Sequence, residues 1–195
     1  MKAFFASFKP AFISLVCLTL LLGVVYPVFI YGIGQLFFRS ESNGSLYFDK
    51  NGKVIGSTLI GQNFTKPGYF HPRPSSAGDK GYDAARSSGS NLGPTSQKLI
   101  KAVTQRVKAY RLENKLATNA VIPVDAVTTS ASGLDPHISI ENALLQVPRI
   151  AAARGISEKD VKNLIEAFRE DPTWGLFGMS RVNVLRLNIA LQKGK

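Results

Sequence analysis

The chain opens with a run that has no hydrophobic–polar alternation at all. From Pro10 to Phe38 no residue carries a formal charge, and the stretch reads PAFISLVCLTLLLGVVYPVFIYGIGQLFF. A helix rises about 1.5 Å per residue, so roughly 20 apolar residues cross a bilayer core of about 30 Å. This run is longer, leaving turns for tilt. Its apolar core continues past Tyr26 and Pro27 with no Ala-x-Ala ahead of the polar region, unlike a cleaved signal peptide. It has no polar stripe, unlike the core helix of a globular domain. The expected layout is a short cytoplasmic N-terminus (1–9), a transmembrane helix (10–38) and one extramembrane domain (39–195). Gly23, Gly32 and Gly34, with Tyr26 and Pro27, are candidate positions for close approach of another helix. Pro27 is tolerable in a spanning helix if neighbours or a local distortion satisfy the carbonyl it frees.

Beyond the span the pattern becomes mixed. Leu46 and Phe48 alternate with polar residues before Asn51-Gly52, which predicts a hairpin whose return strand covers Val54–Ile60. Residues 63–93 are too rich in glycine, proline and serine for regular elements. The aromatics Phe64, Tyr69, Phe70 and Tyr82 nevertheless need something to pack on. Pro94 is expected at the first position of a helix carrying Leu99, Val103, Val107 and Tyr110 on one face and lysines opposite. Val121–Thr129 has strand-like composition. Asp135-Pro136 or Ser139 caps a second helix, which Pro148 ends or kinks and Gly155 closes. Ser157 with Asp160 opens a third helix through Phe168. Residues 181–192 fit neither period cleanly and lean to helix. The fold class is α+β.

Charge and cysteine add little about fold and something about setting. The formal net charge is +11; taking away Lys2, Lys9 and Arg39, with every acid lying beyond Ser40, leaves +8 for the domain. That suits anionic headgroups or an acidic partner. No zinc-finger spacing, basic heptad helix or aromatic-rich basic strand points to nucleic acid. Two lysines before the span against one arginine just after it favour an inside N-terminus and a periplasmic domain. The single cysteine, Cys17, lies in the span, so the domain forms no disulfide of its own.

A search for catalytic machinery returns little. There is no Walker A sequence, no Gly-x-Ser-x-Gly elbow, no Ser-x-x-Lys pair and no His-Glu-x-x-His. Two histidines and no domain cysteine are thin material for a metal site. What remains is a set of polar loops. Gln62, Tyr69, Phe70 and Arg73 form either a loop packed on its own domain or a preorganised contact surface, with Arg73 reaching a partner's carboxylate. Ser90 and Asn91 precede the helix expected at Pro94, where they either cap it or cradle an anion. Ser130, Ser132, Gly133, Asp135 and His137 are turn and cap chemistry or an oxygen-rich site. Asn183 and Asn188, semi-buried among aliphatics, must be hydrogen-bonded, most simply by tying the C-terminal segment to a loop.

Taken in order, Gly23-Val-Val-Tyr-Pro27, Gly61-Gln-x-Phe64, Tyr69-Phe-x-x-Arg-Pro-Ser75, Ser88-Gly-Ser-Asn-Leu-Gly-Pro94, Thr129-Ser-Ala-Ser-Gly-Leu-Asp-Pro136 and Arg181-Val-Asn-Val-Leu185 resemble the C subunit of the Kdp-type potassium-transporting ATPase. The resemblance runs from the anchor to Leu191. It implies a non-catalytic accessory subunit of an inner-membrane complex with a channel-like potassium-conducting subunit, a P-type ATPase subunit and a small single-span subunit. It also implies a role in assembly, and a catalytic-chaperone activity that raises the pump subunit's ATP affinity. Under that reading ATP binds in a ternary complex and no cofactor is intrinsic. A periplasmic domain could not touch cytoplasmic ATP and would instead cap the channel subunit's entrance. A free-standing anchored envelope enzyme is the remaining alternative.

Overall fold

The structure is a computed structural model that describes the backbone of residues 2–193 and the side chains of residues 6–193. It divides into two compact units, residues 1–46 and 47–195.

The first unit is helical. Helix α1 (Lys2–Leu20) passes through a π-helical turn at Leu21–Val25 into α2 (Tyr26–Phe37). The Tyr26 N–H donates to the Leu21 carbonyl, five residues back. This wide turn sits where the Pro27 ring would strike the carbonyl of the preceding turn, so the π-turn absorbs the proline and the helix continues. Residues 6–37 form one apolar stretch long enough to cross a membrane. At its end the short helix α3 (Arg39–Ser42) folds back. The Ser42 hydroxyl donates to the Gly34 carbonyl at 3.3 Å, and a Cβ on Gly34 would lie 3.4 Å from Ser42. Gly34 is therefore occupied by its own chain, whereas Gly23 and Gly32 have open space beside them.

The second unit is mixed helix and sheet, as the α+β pattern requires. Strands β1 (Leu46–Phe48) and β2 (Val54–Ser57) pair as a hairpin. Its turn is longer than a two-residue Asn-Gly turn. Only Gly52 has positive φ (76°), and the Asp49 carboxylate accepts from the Asn51 and Lys53 amides, each at 2.8 Å. β2 stops at Ser57 and does not run on to Ile60.

Helix α4 (Gln97–Glu113) begins three residues later than Pro94 suggested. Pro94 opens a turn closed by the Ser96 N–H donating to the Gly93 carbonyl, and Ser96 caps the helix. Residues 121–129 contain a 3-10 turn (Val124–Ala126) and no strand. Pro123 interrupts the run, and the Val124 carbonyl takes the Thr128 hydroxyl and amide instead of a neighbouring strand.

β3 (His137–Ser139) leads directly into α5 (Ile140–Arg154), capped by Ser139 and closed by Gly155 at φ 66°. Pro148 lies inside α5 without ending it. It shares the exposed outer face with Leu144, so the carbonyl that loses its N–H partner to Pro148 lies on the solvent side of the helix. α6 (Glu158–Ala167) starts at Ser157, whose hydroxyl meets both the amide and the carboxylate of Asp160. β4 (Arg169–Glu170) and β5 (Arg181–Asn183) follow, then α7 (Val184–Lys193). The 181–192 stretch is thus three residues of strand followed by helix, so neither period ran its length. The sheet order is β3-β5-β4, all antiparallel, with Ile138 opposite Val182.

The main core joins this sheet to α5, α6 and α7 through Ile138, Val147, Ile150, Val161, Val182 and Leu187. A second cluster holds α4 through Val103, Val107 and Tyr110.

Candidate functional site

The polar chemistry of the second unit converges on one place, the seam where the irregular segment 63–94 crosses α5 and α7. Asn142, Gln146 and Arg149 are spaced i, i+4 and i+7 on α5, so they form a polar row beside the apolar row of Ala143, Val147 and Ile150. Gln146 is fully buried. Its Nε2 donates to the His71 carbonyl at 3.1 Å, and its Oε1 accepts the His71 amide at 2.7 Å. Asn188 on α7 treats Phe70 the same way: Oδ1 accepts the Phe70 amide at 2.8 Å and Nδ2 donates to its carbonyl at 3.0 Å. Two consecutive loop residues are therefore gripped through both backbone groups by carboxamides, which supply the donor and acceptor a partner strand would have supplied.

Arg149 extends the grip. Its Nη1 donates to the Pro67 and Tyr69 carbonyls, its Nη2 to Gln146 Oε1 at 2.8 Å, and its Nε to the buried Asn114 at 3.0 Å. Burial lowers the pKa of this guanidinium, and the Glu113 and Tyr110 charges oppose that. Glu113 lies 2.7 Å from His71 Nδ1, and this hydrogen bond holds its carboxyl below the usual range. Arg154 lies over the Tyr69 ring at 4.9 Å. The Tyr69 hydroxyl accepts from Gln192 at 2.7 Å.

A second network carries charge across the sheet end. Arg73 Nη1 meets Asp135 Oδ2 at 2.8 Å, and its Nη2 reaches the Thr129 carbonyl at 3.5 Å. His137 stands between carboxylates, with Nδ1 3.5 Å from Asp135 and Nε2 3.2 Å from Glu170. Glu170 also pairs with Arg181 and Arg186. Burial raises the Asp135 carboxyl's pKa, but hydrogen bonds from His137 and the Arg73 charge outweigh it and leave it below the ordinary value. Burial also pushes the Tyr82 hydroxyl up, with the Asp135 charge adding to the effect. That hydroxyl donates to the Arg73 carbonyl. A cavity of about 930 Å³, with largely aliphatic walls including Val124, Leu144 and Leu145, opens beside Arg73, Asp135 and His137.

The structure brings five of the twelve domain candidates, Tyr69, Phe70, Arg73, Asp135 and His137, into these networks, and it goes against three of the readings the sequence left open. Phe70 is not on a contact surface, because it is fully buried in the main core. Arg73 takes the carboxylate of its own chain's Asp135, since the loop folds back across the sheet end. Ser90 and Asn91 do not stand at a helix N-terminus, because that end lies at Gln97 and Ser96 already caps it. The remaining candidates bind their own backbone. Gln62 donates to the Ile55 carbonyl at 3.0 Å. The Ser130 and Ser132 hydroxyls face each other at 3.4 Å, and the Ser132 carbonyl accepts from Ser87 and Ser88. Gly133 has φ 67° and closes against Ser88, where an added Cβ would come within 2.5 Å of the Ser88 oxygen. Asn183 donates to the Thr58 carbonyl at 2.8 Å, the loop tie expected of it.

Asn142, Gln146 and Arg149 escaped the sequence reading, whereas Asn188 makes the loop tie expected of it. The signal was present as polar residues at i, i+4 and i+7 within an otherwise apolar helix face. Among the described residues no group of three or more His, Cys, Asp or Glu side chains could hold a metal ion.

Structurally this is a small α+β domain behind one apolar helix, with its polar side chains committed to fixing a long loop. Residues 8–193 match the family described as "KdpC: K+-transporting ATPase, c chain", and the chain belongs to that family. It is 56% identical over 184 residues to the "Potassium-transporting ATPase KdpC subunit" of Mycobacterium tuberculosis (strain ATCC 25618 / H37Rv), covering 94% of this chain and 96% of the relative. The proteins of that name from Caulobacter vibrioides (strain NA1000 / CB15N) and Myxococcus xanthus are 53% and 50% identical. Those two alignments cover 94% and 97% of this chain, and 91% and 89% of the relatives.

Proposed function

We propose that this chain is a non-catalytic accessory subunit of a potassium-transporting ATPase complex, anchored by its span and contributing a rigid domain to assembly. The carrying observation is how the polar residues are used. Gln146, Arg149 and Asn188 fix the backbone of residues 67–71, and the hydroxyl-rich loops bond to one another rather than lining an open cradle. The family match supports membership of the complex. The proposed partners are the channel-like potassium-conducting subunit, the P-type ATPase subunit that carries the phosphorylation chemistry, and the small single-span subunit.

The N-terminus lies on the cytoplasmic side of the bacterial inner membrane and the domain faces the periplasm, following Lys2 and Lys9 against Arg39. There the domain caps the entrance of the channel subunit and touches no nucleotide. Ser90 and Asn91 do not fit a triphosphate, because the helix end that would supply amides to it is displaced and capped. The test has two arms. Removing residues 1–38 abolishes co-purification with the channel subunit, and the full chain alone shows no saturable binding of a labelled ATP analogue. Saturable binding would overturn the nucleotide-free role, and a complex retained without the span would overturn docking through it.

A further inference from the structure

Between β4 and β5 the chain makes an excursion, Pro172–Ser180, in which no residue is charged. Its sequence is PTWGLFGMS, and its large apolar side chains are exposed, Met179 also edging the cavity beside Arg73 and Asp135. Trp174 is 85% exposed, Leu176 80%, Phe177 62% and Met179 75%. The shape is fixed, not frayed. Thr173 and Phe177 form a backbone bridge, Trp174 and Phe177 stack edge to face at 6.1 Å, and Gly175 and Gly178 take positive φ. At the base Arg169 ties Asp171 and Ser180 together at 2.8 and 3.1 Å. A soluble domain does not hold four such side chains in water on a preformed tip without an apolar phase to receive them.

Two observations select that phase. The excursion springs from the end of the domain at which the chain enters it. Tyr47, the first residue of the second unit, lines one small cavity with Phe168, and β4 follows Phe168 immediately. Only residues 38–46 separate Tyr47 from the apolar stretch ending at Phe37, a tether of about 30 Å at full extension. The charge around the same end is complementary to anionic headgroups. Lys50 and Lys53 are exposed on the β1–β2 hairpin, and Lys193 bonds to the Tyr47 hydroxyl at 2.7 Å.

We propose that the Pro172–Ser180 tip is a second membrane contact, with Trp174, Leu176, Phe177 and Met179 entering the interfacial layer of the bilayer that holds the chain's own span. Tryptophan favours that layer, and Trp174 is the only tryptophan in the chain. The domain then sits on the surface at two points, tether and tip, which restricts its tilt. The local concentration set by the short tether makes even a weak insertion effective.

The single tryptophan makes the test direct. The full chain is placed alone in nanodiscs of mixed zwitterionic and anionic phospholipid. Trp174 emission is expected to be blue-shifted, shielded from acrylamide and lost when the acyl chains are brominated near the headgroup. In Leu176→Ser/Phe177→Ser, which alters only exposed side chains, the bromine quenching is expected to disappear. Emission typical of water with full acrylamide access and no bromine quenching would overturn the proposal. So would shielding that appears only once the other subunits are added, since the tip would then be a protein contact.

Discussion

Asn188 gives the sharpest test of how the 63–94 segment is held. The side chain is 1% exposed, and it satisfies both backbone groups of Phe70, itself fully buried. Asn188→Ala removes one donor and one acceptor and leaves the Phe70 amide and carbonyl without partners in the interior. Each orphaned buried group costs about 1–3 kcal/mol, and water entering the small space left by the carboxamide recovers part of that. A net cost of about 3 kcal/mol is expected, a population shift of about 100-fold toward loop release. Hydrogen exchange read by mass spectrometry on a peptide spanning residues 64–75, in the detergent-solubilised full chain, measures it. Exchange there should rise by about that factor, while α6, to which the side chain makes no hydrogen bond, rises less. Gln62→Ala is the control. It removes one bond from a half-buried side chain and should change exchange of the Ile55 segment by no more than about 1 kcal/mol equivalent. A rise of less than about threefold at 64–75 would refute the claim that the carboxamide clamp holds the loop.

Three further outcomes follow from the same geometry. Gly133→Ala places a Cβ 2.5 Å from the Ser88 oxygen and 2.8 Å from the Ala77 nitrogen on a backbone at φ 67°, so a loss above about 3 kcal/mol in urea unfolding is expected. Ser139→Ala removes the α5 cap and the 2.8 Å bond to Asp125, and the same assay should read about 1–2 kcal/mol. Asp135 has a folded pKa held below its ordinary value of 3.8, so its contribution is complete above that value and is lost as pH falls through the lower folded value. The stability gap between the wild type and Asp135→Asn should therefore be constant from neutral pH to about 5 and shrink on further acidification. A gap that widens in acid would contradict the sign.

The parts of the fold that could be read from sequence are those settled within a few residues. Ser157 with Asp160, Gly155 after α5, and the Val103–Val107–Tyr110 row on α4 are local arrangements, and each occurs as its pattern indicates. The failures share a cause. β3, β4 and β5 have two or three residues each, too few to show a period, and β5 pairs with residues more than forty positions away. Pro94 misled because a proline at the first position of a helix and a proline opening a turn before the cap look alike over four residues. Only the Ser96 side chain accepting from the Leu99 amide decides between them. Cys17 and the apolar run needed no tertiary context, whereas the site residues did. Phe70 and Asn188 are 118 positions apart, and nothing near either one announces the other.

The same distance explains why the site is made of amides. A segment of about thirty residues with no strand of its own must still satisfy its buried backbone groups. A neighbouring strand would do this for every second residue, but α5 and α7 present side chains to the loop, not backbone. Asn and Gln are the neutral side chains that offer a donor and an acceptor in the geometry of a peptide group, so Gln146 on His71 and Asn188 on Phe70 each replace one rung of a ladder. A serine there would satisfy one group and strand the other, and a carboxylate would accept from the amide and repel the carbonyl. Arg149 then closes the row where carbonyls alone remain, at Pro67 and Tyr69. These polar side chains are the ones the fold needs to hold this loop without a sheet. The exposed apolar side chains at Trp174, Leu176, Phe177 and Met179 take no part in this grip.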